Sequence, residues 1–155
     1  MSESVLFLIA WAVLWALLLA VCLFAFVRGG LAERIAAVFI FTIPVLSGFA
    51  DALLSEQVFL VGRLVCDGAL ALVFLYLAIR FGSLWLGGAM ILQALQFSLQ
   101  ACYFVVGRAH DDLYVTINNI DFFGILACLT AGTLAASRRR RRAEAEAASL
   151  PPEAI

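Results

Sequence analysis

The sequence contains no lysine, and charged residues of either sign are scarce. Asp, Glu, Lys and Arg together make up 14% of the 155 residues, whereas 65% are hydrophobic. A soluble domain is about half apolar and about a quarter charged, so the apolar side chains here exceed what one soluble core can bury. The composition therefore argues against a soluble domain and predicts a protein whose remaining apolar side chains face lipid.

The sequence also has few of the residues that form catalytic or metal sites. It has one histidine, His110, and its four cysteines form no Cys-x-x-Cys pair. No His/Glu zinc pattern, serine elbow or glycine-rich phosphate loop occurs. We therefore expect no metal, no cofactor, no catalytic residue and no nucleic-acid partner, although a mechanism that uses carboxylates alone stays open.

Five apolar runs are long enough to cross a bilayer, which takes about 20 residues. They cover approximately residues 5–27, 35–54, 58–79, 84–106 and 113–136. The first run is too long for the core of a signal peptide and follows no basic segment, so we expect a retained helix. The predicted fold is an all-α transmembrane helical bundle in a single domain, residues 1–137. Residues 138–155 then form a basic juxtamembrane segment and a short cytoplasmic tail, disordered or briefly helical up to Pro151.

The distribution of arginine predicts the orientation of the bundle. If five spans alternate, the loops of one side carry Arg108 as their one basic residue besides His110, and the other side receives Arg28, Arg34, Arg80, Arg138, Arg139, Arg140, Arg141 and Arg142. Because Lys and Arg favour the cytoplasmic side, we predict a periplasmic N-terminus and a cytoplasmic C-terminus in a bacterial inner membrane. The five consecutive arginines are interpreted as a stop-transfer signal, with contact to anionic lipid head groups as the alternative.

Polar residues inside the spans are the best guide to a functional site, because placing a charged side chain in the membrane costs about 3 kcal/mol on insertion scales. Helical periodicity places them on shared faces. Six of them lie about 7–15 Å below the N-terminal side of the bilayer, and Asp51 lies nearer the surface; the six are Arg63, Asp67, Gln96, Gln100, Asn118 and Asp121. Arg63 and Asp67 are four residues apart and are predicted to pair. The candidates for a polar cavity or a ligand or ion site are Asp51, Arg63, Asp67, Gln96, Gln100, Tyr103, Asn118 and Asp121.

The charges of this candidate cluster do not balance. Arg63 faces three carboxyl groups, those of Asp51, Asp67 and Asp121. At low dielectric, one or more carboxyls must be protonated, or the cavity must be wet, or a cation or basic ligand must bind. The alternative is structural, since amides and an Arg–Asp pair can hold membrane helices in register.

The first apolar run differs from the others, because it has no charged or amide side chain between Val5 and Val27. We expect it to pack on the outside of a bundle formed by the other four spans, or against a partner protein. Trp11 and Trp15 are one turn apart and are predicted to fill a helix-packing groove, with contact to a cofactor or pigment as the alternative.

Residues 84–134 contain the segments Gln-Ala-Leu-Gln-Phe-Ser-Leu, Gly-Arg-Ala-His-Asp-Asp-Leu-Tyr and Asn-Asn-Ile-Asp-Phe-Phe-Gly. This third of the chain resembles small uncharacterised inner-membrane proteins of alphaproteobacteria, which implies a multi-pass inner-membrane protein without a particular activity. The five-span layout is also similar to the tryptophan-rich sensory protein family. The Trp-Pro and Trp-rich motifs of that family are missing here, so neither its ligand nor its residues are carried over.

The sequence predicts first a non-enzymatic accessory, assembly or sensory subunit that works with a larger membrane partner. Small size, the lack of a soluble domain and one featureless helix favour this function. The alternative is a small oligomeric transporter, channel or solute-binding bundle, in which Arg63, Asp67 and Asp121 couple protons or cations. A phage holin fits five spans and buried charges less well, and an intramembrane enzyme has the least support.

Overall fold

The computed structural model describes residues 3–53, 55–107 and 111–149. Over these residues the chain forms five α-helices: α1 (Glu3–Arg28), α2 (Leu31–Leu53), α3 (Glu56–Phe81), α4 (Leu84–Val106) and α5 (Asp112–Ser149). Each helix contains a segment long and apolar enough to cross a membrane. The prediction of an all-α transmembrane bundle is therefore confirmed, and the protein is a multi-pass membrane protein.

Local capping signals explain where several helices begin and end. Gly82 and Gly107 follow α3 and α4 with φ angles of 59° and 64°, the left-handed conformation that glycine adopts without strain. At the start of α5, the backbone N–H of Tyr114 donates to Oδ1 of Asp111 at 3.0 Å. Asp111 thus caps the start of α5, and His110 lies outside the described residues.

Two helices extend further than the apolar runs. Helix α2 begins at Leu31 rather than near residue 35, because Glu33 accepts the backbone N–H of Gly30 at 3.0 Å and so caps the first turn. Helix α5 continues through the arginine run to Ser149. Where the sequence predicted a disordered or briefly helical tail, the described part is helical, because Arg, Ala and Glu are strong helix formers. Pro151 lies outside the described residues.

The five helices form a closed ring. Each helix packs against the next one in the chain, and α1 also packs against α5, while α2 and α5 touch across the ring. The short connections make consecutive helices antiparallel, so α1 and α5 run in the same direction. Over the described residues, helix α1 touches α2 and α5 but neither α3 nor α4, which agrees with the prediction that it packs on the outside of the other four spans. Its inner face, with Leu18 and Ala25, is nevertheless buried. Lipid and protein interiors are similarly apolar, so an apolar helix carries no sequence signal that separates its buried face from its lipid-facing side.

One half of the bundle, which we call the closed half, contains the end of α1, the start of α2 and the start of α4. Its centre is filled by fully buried small and apolar side chains: Ala25, Ala36, Phe74, Leu86, Ala89 and Leu129. Trp85 packs so tightly against α5 that a Cβ atom on Gly132 would lie 2.5 Å from its ring. The indole N–H of Trp85 donates to Oε1 of Glu33 at 3.1 Å and joins α4 to α2. The closed half is thus a tightly packed base for the rest of the bundle.

Candidate functional site

The opposite half of the bundle, which we call the cavity half, surrounds a partly open cavity of about 410 Å³. Residues from all five helices line it, at the end of the bundle that holds the start of α1, α3 and α5. Small-molecule sites in proteins are typically about 300–1,000 Å³ in volume. The cavity is therefore large enough for a small organic molecule.

The structure brings five of the eight sequence candidates to this cavity: Arg63, Asp67, Gln96, Asn118 and Asp121. Gln100 and Tyr103 are buried but are not among its lining residues. They lie further along the same face of α4, where the Tyr103 hydroxyl donates to Oδ1 of Asp111 at 2.6 Å. Periodicity therefore gave the correct face of α4 but not the depth at which the cavity ends. The side chain of Asp51 lies outside the described residues.

A hydrogen-bond network ties three helices together beside the cavity. Oδ1 of Asn118 on α5 accepts from Nη2 of Arg63 on α3 at 3.3 Å and from Nε2 of Gln96 on α4. Nε2 of Gln93 on α4 donates to Oδ1 of Asp67 on α3 at 3.4 Å. The hydrogen bonds of Arg63 and Asp67 thus run to neighbouring helices, rather than forming the direct pair predicted from their spacing. Four-residue spacing permits such a pair, but a long guanidinium also reaches across to another helix.

Several polar atoms of the cavity wall are buried without a partner. Oδ2 of Asp67, Oε1 of Gln96 and Oδ2 of Asp121 have no hydrogen-bond donor among the described residues. Asp121 is only 5% exposed and Gln96 only 7%. A buried polar atom left without a hydrogen bond costs about 1–3 kcal/mol. The wall therefore carries acceptor oxygens that the described part of the protein does not satisfy.

An aromatic wall faces these polar groups. Trp11 and Trp15 on α1 pack edge to face, with ring centroids 5.5 Å apart, and both line the cavity. A smaller space of about 180 Å³ is lined by the same two rings together with Asn118 and Phe122, so the open volume continues between α1 and α5. The tryptophans were predicted to fill a packing groove, with contact to a cofactor or pigment as the alternative. In the structure they form part of the wall of a cavity.

Sequence reasoning left some lining residues out of the candidate site. Gln93 and Ser47 line the cavity and lie on the polar stripes of α4 and α2, so helical periodicity could have included them. The apolar lining residues, among them Trp11, carry no such signal. Among the described residues, no group of three or more His, Cys, Asp or Glu could hold a metal ion. The groups present are carboxyl, amide and guanidinium, which bind through charge and hydrogen bonds.

Comparison of the chain with models of known protein families, with characterised proteins and with solved protein structures gives no match. The resemblance of residues 84–134 to inner-membrane proteins of alphaproteobacteria therefore stays a prediction. What the protein does has to be inferred from the chemistry and the geometry of the cavity half.

Proposed function

We propose that the protein binds a small polar or charged solute inside the membrane, as a solute-binding bundle or a small transporter of a bacterial inner membrane. One observation carries this proposal: Asp121 is nearly fully buried, lines a cavity of molecular size and presents a carboxyl oxygen without a donor from the described residues. Ionisable groups inside membrane spans commonly mark pathways for substrates and ions. On this proposal the protein acts by binding and not by catalysis.

A purely structural role accounts for only part of the polar cluster. The hydrogen bonds of Arg63 and Gln96 to Asn118 join three helices and suit a packing role. A carboxyl oxygen of Asp121 without a donor adds no such link, and its burial opposes insertion and folding. A buried group that is costly for the fold and belongs to the lining of a cavity is better explained by a ligand.

The accessory-subunit hypothesis rested on small size, the lack of a soluble domain and a first helix free to contact a partner. Because α1 closes the ring and lines the cavity with Trp11 and Trp15, that helix already has an internal role. The subunit hypothesis stays a prediction with its own test, which is purification from native membranes in mild detergent followed by mass spectrometry. A stoichiometric membrane partner would favour it over the solute-binding proposal.

The proposed orientation predicts from which side of the membrane a solute reaches the cavity. If the arginines that follow α1 and end α3 and α5 face the cytoplasm, the cavity lies in the periplasmic half of the bilayer. The solute would then arrive from the periplasm. The closed half would separate the site from the cytoplasm.

Two glycines provide a matched test of the solute-binding proposal. Gly48 and Gly62 are both exposed, but Gly48 lines the cavity and Gly62 does not, and a Cβ atom on either would meet no atom within 4 Å. Gly48→Leu should fill part of the cavity, whereas Gly62→Leu should add a side chain outside it. The protein in lipid nanodiscs is heated with separate cationic, anionic, zwitterionic and neutral small solutes.

We expect one solute class to raise the melting temperature of the unmodified protein and of Gly62→Leu, but not that of Gly48→Leu. The proposal fails if no class raises the melting temperature, or if the increase persists in Gly48→Leu. For the transporter version, solute flux is measured in proteoliposomes. Flux that is unchanged by Asp121→Asn would contradict coupling through this carboxyl group.

A further inference from the structure

We infer that the solute of this cavity is a small amphipathic organic cation that carries a primary ammonium group, an inference that rests on the proposed binding function. The balance of donors and acceptors in the wall is the first reason. Three residues on three helices, Asp67, Gln96 and Asp121, each present one oxygen that accepts no hydrogen bond from the described residues. A primary ammonium group has three N–H donors and no acceptor, which matches a wall with spare acceptors.

The balance of charge points the same way. Arg63 contributes one positive charge to the lining, and Asp67 and Asp121 contribute two carboxyl groups. Nη2 of Arg63 already donates to Asn118, a neutral amide that also accepts from Gln96. With both carboxyl groups ionised, the lining has one net negative charge, which a bound cation would neutralise and a bound anion would increase. An anionic solute without N–H or O–H groups would also leave all three spare acceptor oxygens without a donor.

The size and the apolar part of the cavity limit the body of the cation. A cavity of about 150 Å³ can hold benzene, and this one is about 410 Å³. An inorganic cation would leave most of that volume unfilled. Trp11, Trp15 and Phe122 provide aromatic surface along the wall, which suits both an apolar group and a cation near a ring face. An aromatic ring joined to an ammonium group by a short chain combines these properties.

The test is isothermal titration calorimetry on the full chain in nanodiscs of neutral lipid. Phenethylammonium is the probe, and 3-phenylpropionate is its counterpart with an aromatic ring and a negative charge. Phenethyltrimethylammonium carries the positive charge without N–H donors. We expect phenethylammonium to bind at least tenfold more tightly than either compound. 3-Phenylpropionate has a negative charge, and phenethyltrimethylammonium cannot donate hydrogen bonds to the carboxyl groups.

Variants assign the binding to the cavity. Asp121→Asn and Asp67→Asn should each weaken phenethylammonium binding by about tenfold or more, because each replaces a carboxyl by a neutral amide. Asp112→Asn is the matched control, since Asp112 is exposed at the start of α5 and is not a lining residue.

Gly48→Leu should abolish the binding, and Gly62→Leu should leave it unchanged. Circular dichroism and the elution volume in size-exclusion chromatography show which variants are folded. If Asp121→Asn does not fold, Asp67→Asn alone tests the role of the carboxyl groups.

Each contrary outcome overturns the inference in a distinguishable way. Binding of 3-phenylpropionate that Gly48→Leu blocks, without binding of phenethylammonium, would exclude an ammonium ligand but retain the solute-binding function. Phenethylammonium binding that persists in Gly48→Leu would show partition into lipid and exclude the site. If phenethylammonium does not bind at all, the inference is wrong, and the wider solute panel then decides whether the proposed function fails with it.

Discussion

The two halves of the bundle are built from the same five helices, yet a buried carboxyl group has a different number of hydrogen-bond donors in each half. In the closed half, both oxygens of Glu33 accept a hydrogen bond, from Gly30 and from Trp85. In the cavity half, Oδ2 of Asp121 has no donor among the described residues. Burial of a charged residue therefore does not by itself indicate function. A carboxyl group with satisfied oxygens stabilises the fold, whereas one with a spare acceptor oxygen in the wall of a cavity lowers stability unless a ligand supplies a donor.

Small side chains contribute to the tight packing of the closed half. Ala25, Ala36 and Ala89 are fully buried in the closed half, and small residues let membrane helices approach closely. In the cavity half, larger side chains such as Trp15 and Phe59 line a volume of about 410 Å³ between the helices. The bundle is therefore tight at one end and open at the other.

The largest expected effect comes from breaking the closed half. Gly132→Leu places a side chain where a Cβ atom alone would lie 2.5 Å from the ring of Trp85. We expect it to lower the free energy of unfolding by about 3 kcal/mol, the upper part of the usual range for overpacked cores. Gly87→Leu on α4 is the control, because a Cβ atom there meets nothing within 4 Å. Equal losses in the two variants, measured by denaturant unfolding in detergent, would contradict the tight packing.

A smaller loss should follow removal of the satisfied carboxyl group. Glu33→Leu leaves the indole N–H of Trp85 and the backbone N–H of Gly30 without their acceptor. The expected decrease in the free energy of unfolding is about 2 kcal/mol. Glu33→Gln keeps one acceptor oxygen and should lose less. If Glu33→Leu were as stable as the unmodified protein, the contrast between the two halves would disappear.

The equivalent change in the cavity half should have the opposite sign. Asp121→Leu removes a buried carboxyl oxygen that has no donor among the described residues, so we expect the free energy of unfolding to stay constant or rise by about 1 kcal/mol. The same variant should lose solute binding. A loss of stability as large as that of Glu33→Leu would instead indicate that Asp121 has a structural role.

The smallest effect is expected at the end of α5 in neutral lipid. Residues 138–142 are exposed, so changing all five arginines to Gln should alter the free energy of unfolding by less than about 0.5 kcal/mol there. In anionic lipid, the unmodified protein should be more stable than the variant, and added salt should reduce that difference. No difference between the two lipids would leave the arginine run with its stop-transfer role alone.

The sequence predicted the helical class and much of the polar face, because the length of a span and the periodicity of a helix can be read from the residues. A helix that crosses a bilayer needs about 20 apolar residues, and five such runs are visible. Helical periodicity placed Arg63, Asp67 and Asp121 on inward faces at similar depth, and all three line one cavity. Periodicity assigned Gln100 to the same group, but it cannot show that the cavity ends before that residue.

By itself, then, the sequence determined five membrane spans, an arginine asymmetry and the polar faces of α3, α4 and α5, because span length and periodicity are local properties. Only the tertiary structure decided that α1 closes the ring, that Trp11 and Trp15 face the polar groups, and that Asn118 is the hydrogen-bond partner of Arg63. It also decided that Glu33 is satisfied and that Asp121 has a spare oxygen. These features depend on which helix faces lie opposite each other, and apolar residues that face lipid or a neighbouring helix look alike in sequence.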